Sequence, residues 1–531
     1  MAEGRLRDDW IIRNRVAIFV GLNVFVLLAG VVGAPLHDID SGRAVYAVVL
    51  FLLCSLPLLS MKALNGRFFL LAVFMLLYFL FFGGALDLQA LVIGEEIHPL
   101  HEGFLEPAEV TILTGAVLVL VGYFAGVGLG GRGEDARPPT EWRKQAILLL
   151  GLFLWVTGMA AVIYFQIFTV PEKTNASAAR GFAAMGPVLT FIVMLGHLLG
   201  PLGTLILAYG YARFRGPFWL GVILVVVCGE VVVGFITDIK AQAMIGGAIV
   251  ILVKTLVDNR LPRVWIAGGV AFVILAFPIF QAYRVEVTGE RGLNRLQALK
   301  ELPKVIEIAF AARDKSTDSS VRGPRAPTFL ERSSSKGNIE ILLQHVPADT
   351  PYLQGKTLVA IPMAFVPRLL APDKEDISVG QLFSKQILKS TEDTFISITH
   401  LGELYWNFGL GGVLVGLPLT GLLLGFVGTR NSLEGRPSMT RLLVLMATVQ
   451  PLCMGFGGTM PISYVIWLRS MAAIGLMHLV FARKVAPAAA ASTAVAASAG
   501  ASAGEGGPRS PQSRELALRP APVPRFSNML R

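Results

Sequence analysis

The chain has 531 residues, of which 54% are hydrophobic and 15% charged, and its mean hydropathy is +0.64. So little polar side-chain surface excludes a soluble domain of this length, and the solvent for most of the chain must be lipid. The formal charge of +10 does not indicate nucleic-acid binding, because the basic residues are scattered through short loops and the tail, where anionic lipid headgroups explain them. The cysteines lie in separate apolar runs and are interpreted as small core residues: Cys54, Cys228 and Cys453.

Twelve apolar runs are long enough to cross a hydrocarbon layer of about 30 Å. They lie near residues 16–35, 44–61, 68–92, 110–130, 146–169, 187–211, 217–237, 241–257, 264–283, 404–428, 442–459 and 462–482. We therefore predict an all-α polytopic membrane protein with about twelve transmembrane helices and one large periplasmic loop.

The loops between these runs alternate in charge. Loops on the side of the N-terminus hold 18 Lys and Arg residues against 4 in the short loops on the other side, and residues 93–109 contain five glutamates but no Lys or Arg. By the positive-inside rule, this predicts a protein of the bacterial inner membrane with both termini in the cytoplasm.

Two regions fall outside the runs, a long charged segment and a tail. By parity the charged segment lies on the periplasmic side; we predict that its middle, 314–336, is mobile and that 357–370 lies on or dips into the membrane. The Ala/Pro/Ser/Gly-rich tail is predicted to be disordered. The predicted organisation is a membrane bundle 1–283, a periplasmic loop 284–403, C-terminal membrane helices 404–483 and a cytoplasmic tail 484–531.

Signatures of soluble enzymes are missing from the sequence. It contains no phosphate-binding Gly-rich loop with a lysine, no His-Glu-x-x-His and no Gly-x-Ser-x-Gly. Acidic residues are not clustered on the loop in the way that metal ions require. We therefore predict no cofactor and no metal site.

Arginines stand at the predicted outer boundary of the membrane. Arg284 follows the ninth run directly and is either an interfacial arginine reaching for water or a ligand for an anionic headgroup. Arg368 lies between Pro367 and Pro372, which restrict the backbone, so its guanidinium is held against a headgroup or is an ordinary solvated charge.

Polar residues also open the tenth run. Glu403 and Asn407 are four residues apart, so a helix places them on one face, with His400 one turn earlier. A carboxylate near this boundary is suited to act as a general base or to orient a sugar hydroxyl. The alternative is an interfacial capping cluster with an aromatic belt at Tyr405 and Trp406.

Ionisable residues inside the apolar runs are costly in lipid and mark functional sites by default. Two such residues are Glu230 and Arg469, which either belong to a site or form a structural ion pair with each other. His197, between Gly196 and Leu198, is interpreted as a hydrogen-bonded packing residue.

The arrangement resembles the Wzy-type O-antigen and exopolysaccharide repeat-unit polymerases, relatives of the O-antigen ligases. The likeness rests on the topology, on Tyr283-Arg284 and on two stretches that we call the loop block and the helix block. The loop block, 355–374, contains Gly355-Lys356-Thr357, Ile361-Pro362, Pro367-Arg368 and Lys374. The helix block, 402–409, reads Gly-Glu-Leu-Tyr-Trp-Asn-Phe-Gly.

The resemblance implies transfer of a growing glycan from undecaprenyl diphosphate to another lipid-linked repeat unit at the periplasmic face. Such a reaction needs no nucleotide, but the diphosphate leaving group must be neutralised and one hydroxyl activated. The implied catalytic residues are Glu403 first, then His400 and His345. The implied substrate-binding residues are Arg284, Arg332, Arg368, Lys374, Tyr405, Asn407 and Arg469.

Two other functions remain open at this level. An O-antigen ligase would share the topology and the carrier but pass the finished polymer to a lipid A core. A transporter or lipid flippase is favoured by Glu230 and Arg469, although no internal repeat is visible. The expected partners are the lipid-linked glycans and the bilayer, whereas docking of a chain-length-regulating copolymerase stays open.

Overall fold

The computed structural model describes residues 10–94, 106–131, 140–164, 187–237, 240–284, 307, 329–366, 379–390, 395–434 and 438–484. The chain divides into two units, Met1–Arg483 and Lys484–Arg531, and every contact discussed below lies within the first.

Helices account for almost all of the described structure, and each of the twelve predicted runs is mainly helical where the structure describes it. The long helices before the charged segment are α1 Arg15–Leu28, α2 Ser41–Ser55, α3 Phe69–Phe81, α4 Gly84–Ile93, α5 Pro107–Gly130, α6 Lys144–Tyr164, α7 Pro187–Phe214, α8 Pro217–Thr237, α9 Lys240–Asp258 and α10 Arg263–Arg284. Within and after the charged segment follow α11 Lys336–His345, α12 Lys356–Met363, α13 Thr399–Arg430, α14 Met439–Thr448 and α15 Met460–Phe481.

Short pieces extend or join these helices. They are Trp10–Arg13, the π-turn Ala29–Gly33 with Ala34–Leu36, Pro57–Ser60, Phe329–Ser333, Val379–Leu382 with the π-turn Phe383–Ile387, and the π-turn Val449–Cys453 with the 3-10 turn Met454–Gly457. Two dipeptide strands, Thr140–Glu141 and Arg483–Lys484, complete the secondary structure of the described residues.

The protein is a multi-pass membrane protein. Among the described residues, eight helices are long and apolar enough to cross a membrane, or nine if the bent pair α3 and α4 forms one span. Large apolar side chains on these helices face outward, with Leu479 82% and Leu149 68% exposed. Such surfaces are stable only against lipid.

The third predicted run is not one straight helix. Its two halves, α3 and α4, are bent by 62°. The break lies at Gly83, whose φ of +78° is a left-handed conformation that glycine adopts without a steric penalty. The pair is either a broken span or a re-entrant loop.

Helices α5 and α13 form a close pair in the core. A Cβ atom on Gly122 would lie 2.0 Å from the carbonyl oxygen of Pro418, and one on Gly126 would lie 2.1 Å from that of Leu422. Small residues spaced by four allow backbones in lipid to approach this closely. Because the residue numbers rise together, the two helices run parallel, as expected if both cross the membrane in the same direction.

The interpretation of the cysteines was correct for only part of the set. Cys453 is buried and Cys54 is partly buried, but Cys228 is exposed on α8. All three are free thiols, and Cys228 belongs to the outward-facing surface instead of the core.

Candidate functional site

Helix α13 is broken inside the helix block. Gly409 has φ 63° and ψ −153°, although the residues on both sides are helical. Beside the break, the carbonyl oxygens of Trp406 and Asn407 accept hydrogen bonds from the backbone of Leu353 (2.9 Å) and Gln354 (3.1 Å). The two residues that precede the loop block are therefore hydrogen-bonded to α13 at its break.

The side chain of Asn407 joins the two blocks. Its Oδ1 accepts from the backbone N–H of Gly355 (2.9 Å), and its Nδ2 donates to Thr357 Oγ1 (2.8 Å) and to the carbonyl oxygen of Glu403 (2.8 Å). The residue is buried. These bonds engage both ends of the amide within the protein, so Asn407 positions the loop block on α13.

Glu403 lies one turn before Asn407 and has no exposed surface. Its Oε2 accepts from the backbone N–H of Met460 (2.8 Å), the first residue of α15. The carboxyl group thus caps a helix N-terminus, where unsatisfied N–H groups and the helix dipole favour it. Its Oε1 has no hydrogen-bond partner among the described residues.

His400 shares the first turn of α13 with Glu403 and is buried. Its ring packs against Phe456 and Tyr464, with centroid distances of 4.9 and 6.0 Å. Neither ring nitrogen has a hydrogen-bond partner among the described residues. The preceding residue, buried Thr399, has φ +61°, which strains a β-branched side chain. This turn thus combines two buried polar side chains with local strain.

Two other predicted residues are held by the loop. Tyr405 donates its hydroxyl to the carbonyl oxygen of Val346 (3.3 Å). His345 ends α11, where its Nδ1 lies 2.8 Å from Asp349 Oδ2, so its partner is a carboxylate of the loop and not Glu403.

The structure describes the side chain of only one of the four cations predicted to bind diphosphate. Arg332 is exposed on the short helix Phe329–Ser333. Arg284 ends α10, but its side chain lies outside the described structure, as do all of Arg368 and Lys374. The described residues therefore do not bring these cations together.

The structure does not pair Glu230 with Arg469. Glu230 is buried in α8 and accepts from Thr204 Oγ1 (2.9 Å) of α7. Arg469 of α15 donates instead to the carbonyl oxygen of Ala364 (3.0 Å), which follows the last turn of α12. Arg469 thus binds the loop block at the C-terminal end of α12, whereas Asn407 binds it at the N-terminal end. His197 lies in α7, and its side chain is outside the described structure.

A buried group of four charges was not predicted from the sequence. Lys336 Nζ lies 2.6 Å from Glu109 Oε1 and 3.3 Å from Asp87 Oδ2, and Arg43 Nε lies 2.6 Å from Asp87 Oδ1. The ammonium also sits over the ring of Tyr46 at 4.3 Å. We call Lys336, Glu109, Asp87 and Arg43 the ion network. It fastens the charged segment to the ends of α2, α4 and α5.

Only the last part of 314–336, the stretch expected to be mobile, lies in the described structure, and there the chain is folded. Residues Phe329–Ser333 are helical, and Lys336 is buried. Residues 314–328 lie outside the described structure.

Further along, the charged segment has a small apolar core of its own. Leu342, Val346, Phe383 and Ile398 pack around Trp406, which belongs to the helix block. Packing therefore holds the segment against α13, whereas charge holds it to α2, α4 and α5.

The break at Gly409 leads to a first prediction. We expect Gly409→Ala to destabilise the protein by about 1–3 kcal/mol, because this φ and ψ region is essentially restricted to glycine. The new Cβ would also lie 3.0 Å from Tyr352 Oη. Thermal unfolding of the purified protein in detergent measures the loss.

Gly411 provides the matched control for this prediction. It lies in the same helix, and no heavy atom outside its own helix lies within 4 Å of its added Cβ. Gly411→Ala should stabilise by roughly 0.5–1 kcal/mol, the usual gain in a helix. Equal effects of the two substitutions would show that the conformation of Gly409 is not needed.

Comparison of the chain with protein-family models, with curated proteins and with solved structures gave no match in any of the three.

Proposed function

We propose that this protein is a membrane glycosyltransferase that polymerises oligosaccharide repeat units carried on undecaprenyl diphosphate into a surface polysaccharide. The observation that supports this best is the meeting of the loop block and the helix block at the break in α13. The two stretches that carry the resemblance are far apart in sequence, yet Asn407 bonds to Gly355 and Thr357 directly.

The proposal places about twelve spans in the bacterial inner membrane, with both termini in the cytoplasm and 284–403 in the periplasm. The ion network supports this orientation, because Lys336 of the charged segment meets Arg43, Asp87 and Glu109. Those three residues lie at the helix ends opposite to the loops rich in Lys and Arg, which the positive-inside rule assigns to the cytoplasm.

In the proposed reaction, arginines neutralise the diphosphate as the glycosyl bond breaks. A guanidinium donates two hydrogen bonds to phosphate oxygens and stays charged. Arg284 and Arg368 are the proposed residues for this role, with Arg332 and Lys374 as further cations. Arg469, a further proposed substrate-binding residue, contacts the loop block through its bond to Ala364.

The proposed base is Glu403, with His400 and His345 as substitutes. A base must reach the hydroxyl whose proton it takes. Because Glu403 and His400 are buried, that role requires the residues packed over them to move aside when substrate binds. His345 is partly exposed, but its Nδ1 already contacts the carboxylate of Asp349.

A transporter is the second candidate, favoured by one observation. Glu230 is fully buried in a membrane helix, where it accepts from Thr204. Intramembrane carboxyl groups commonly mark ion or proton pathways.

Deletion of the gene followed by analysis of surface glycan length tests the proposal. We expect single repeat units to remain attached to the cell surface and long polymer to disappear. Polymer retained on its carrier without attachment would indicate a ligase. Lipid-linked units trapped in the inner leaflet would indicate a flippase.

A further inference from the structure

At the end of the bundle opposite to the ion network, three inter-helix connections surround a cavity of about 500 Å³. We call it the basic cavity. Its charged lining residues are Lys62, Arg67, Arg430, Arg441 and Glu434. Arg430 ends α13 and Glu403 lies near its start, so the cavity and the candidate site lie at opposite ends of this helix.

The charge of the basic cavity is unbalanced. Four cations face one carboxylate, and three of the cations, Lys62, Arg67 and Arg441, form no salt bridge with any residue that the structure describes. Elsewhere at this end of the bundle two cations share a carboxylate, since Arg215 and Lys254 each lie 2.8 Å from Asp258. Within the cavity the cations outnumber the carboxylates by four to one.

The walls of the cavity hold the cations in a defined arrangement. Arg67 lies over the ring of Phe68 at 5.2 Å, and its carbonyl oxygen accepts from the hydroxyl of Tyr123 (2.5 Å). Arg441 donates to the carbonyl oxygen of Ser432 (3.3 Å). Hydrogen bonds thus hold the backbone of Arg67 and the side chain of Arg441, and both residues line the same cavity.

We propose that the basic cavity binds a phosphate-bearing anion, either the headgroup of an anionic phospholipid or a soluble phosphate ester. Its volume is within the range of small-molecule sites. Basic pockets between membrane helices on the positively charged side attract anionic headgroups, and guanidinium groups bind phosphate oxygens in pairs. The inference does not depend on the proposed function, because the cavity and the candidate site lie at opposite ends of α13.

Calorimetric titration of the purified full-length protein in detergent tests this proposal. The probes are short-chain phosphatidylglycerol, short-chain phosphatidylcholine, glycerol 3-phosphate and inorganic phosphate. We expect saturable binding of phosphatidylglycerol at least tenfold tighter than that of phosphatidylcholine. Glycerol 3-phosphate binding as tightly as phosphatidylglycerol would identify a soluble ester as the ligand; much weaker binding would identify the lipid.

Charge-matched variants locate the binding. Arg67→Gln with Arg441→Gln should weaken it roughly 10- to 30-fold, from about 1 kcal/mol for each cation removed. Arg143→Gln with Arg263→Gln removes two exposed arginines outside the cavity and should change binding less than about twofold. Equal weakening by both variants would overturn the proposal. So would wild-type protein that binds none of the phosphate-bearing probes in preference to phosphatidylcholine, a result that no misfolded variant can cause.

Discussion

Replacing Lys336 with methionine is expected to lower the free energy of unfolding by about 3–5 kcal/mol, the usual effect of removing one partner from a buried ion pair. The side chains of Lys336, Asp87 and Glu109 are 9%, 3% and 1% exposed. Without the ammonium, two carboxylates remain buried beside one cation, Arg43, which contacts Asp87. Denaturation of the purified protein in detergent measures the loss, and polymer formation in cells should fall with it.

Two further variants separate charge balance from general damage. Lys389→Met removes an exposed lysine of the charged segment and should change stability by no more than about 0.5 kcal/mol. Adding Glu109→Gln to Lys336→Met should restore part of the lost stability, because it returns the net charge of the ion network to zero. Wild-type stability in Lys336→Met would show that the network does not anchor the segment.

The helices were predictable because lipid leaves a long apolar segment almost no other conformation. The run predicted at 241–257 is α9, Lys240–Asp258, and the run at 217–237 coincides with α8. The bend between α3 and α4 was missed because hydropathy does not respond to backbone direction. The glycines at 83 and 84 were the available signal.

The candidate site was predictable along one helix but not between segments. A spacing of four placed Asn407 one turn after Glu403, and Asn407 Nδ2 does donate to the Glu403 carbonyl oxygen. The sequence predicted a carboxyl group at the water boundary, however, whereas α15 covers it through Met460, 57 positions away. No periodicity encodes a contact over that distance.

The ion network is a second case in which contacts between distant segments could not be predicted from the sequence. Lys336 lies 249 positions from Asp87 and 227 from Glu109. In the sequence, Glu109 was only one of several glutamates that indicated orientation, and Lys336 was the end of a polar stretch. Their pairing arises from tertiary packing of α11 on α5, which one sequence does not reveal.

Glu403→Gln is expected to slow polymerisation roughly 10²- to 10⁴-fold, the usual contribution of a general base. Glutamine keeps an oxygen that accepts from the Met460 N–H, so the cap on α15 survives. Stability should therefore stay close to that of the wild type. The rate is measured in proteoliposomes supplied with lipid-linked repeat units, from the length of polymer formed over time.

Glu403→Ala tests the structural role of the same side chain. It removes both the proton acceptor and the cap, so we expect the same loss of rate together with a loss of about 1 kcal/mol in stability. The comparison distinguishes the two roles. If Glu403→Gln polymerises at the wild-type rate while Glu403→Ala is less stable, the buried carboxyl group serves α15 alone. The base must then be sought at His400, whose ring nitrogens lie in the same turn without a hydrogen-bond partner among the described residues.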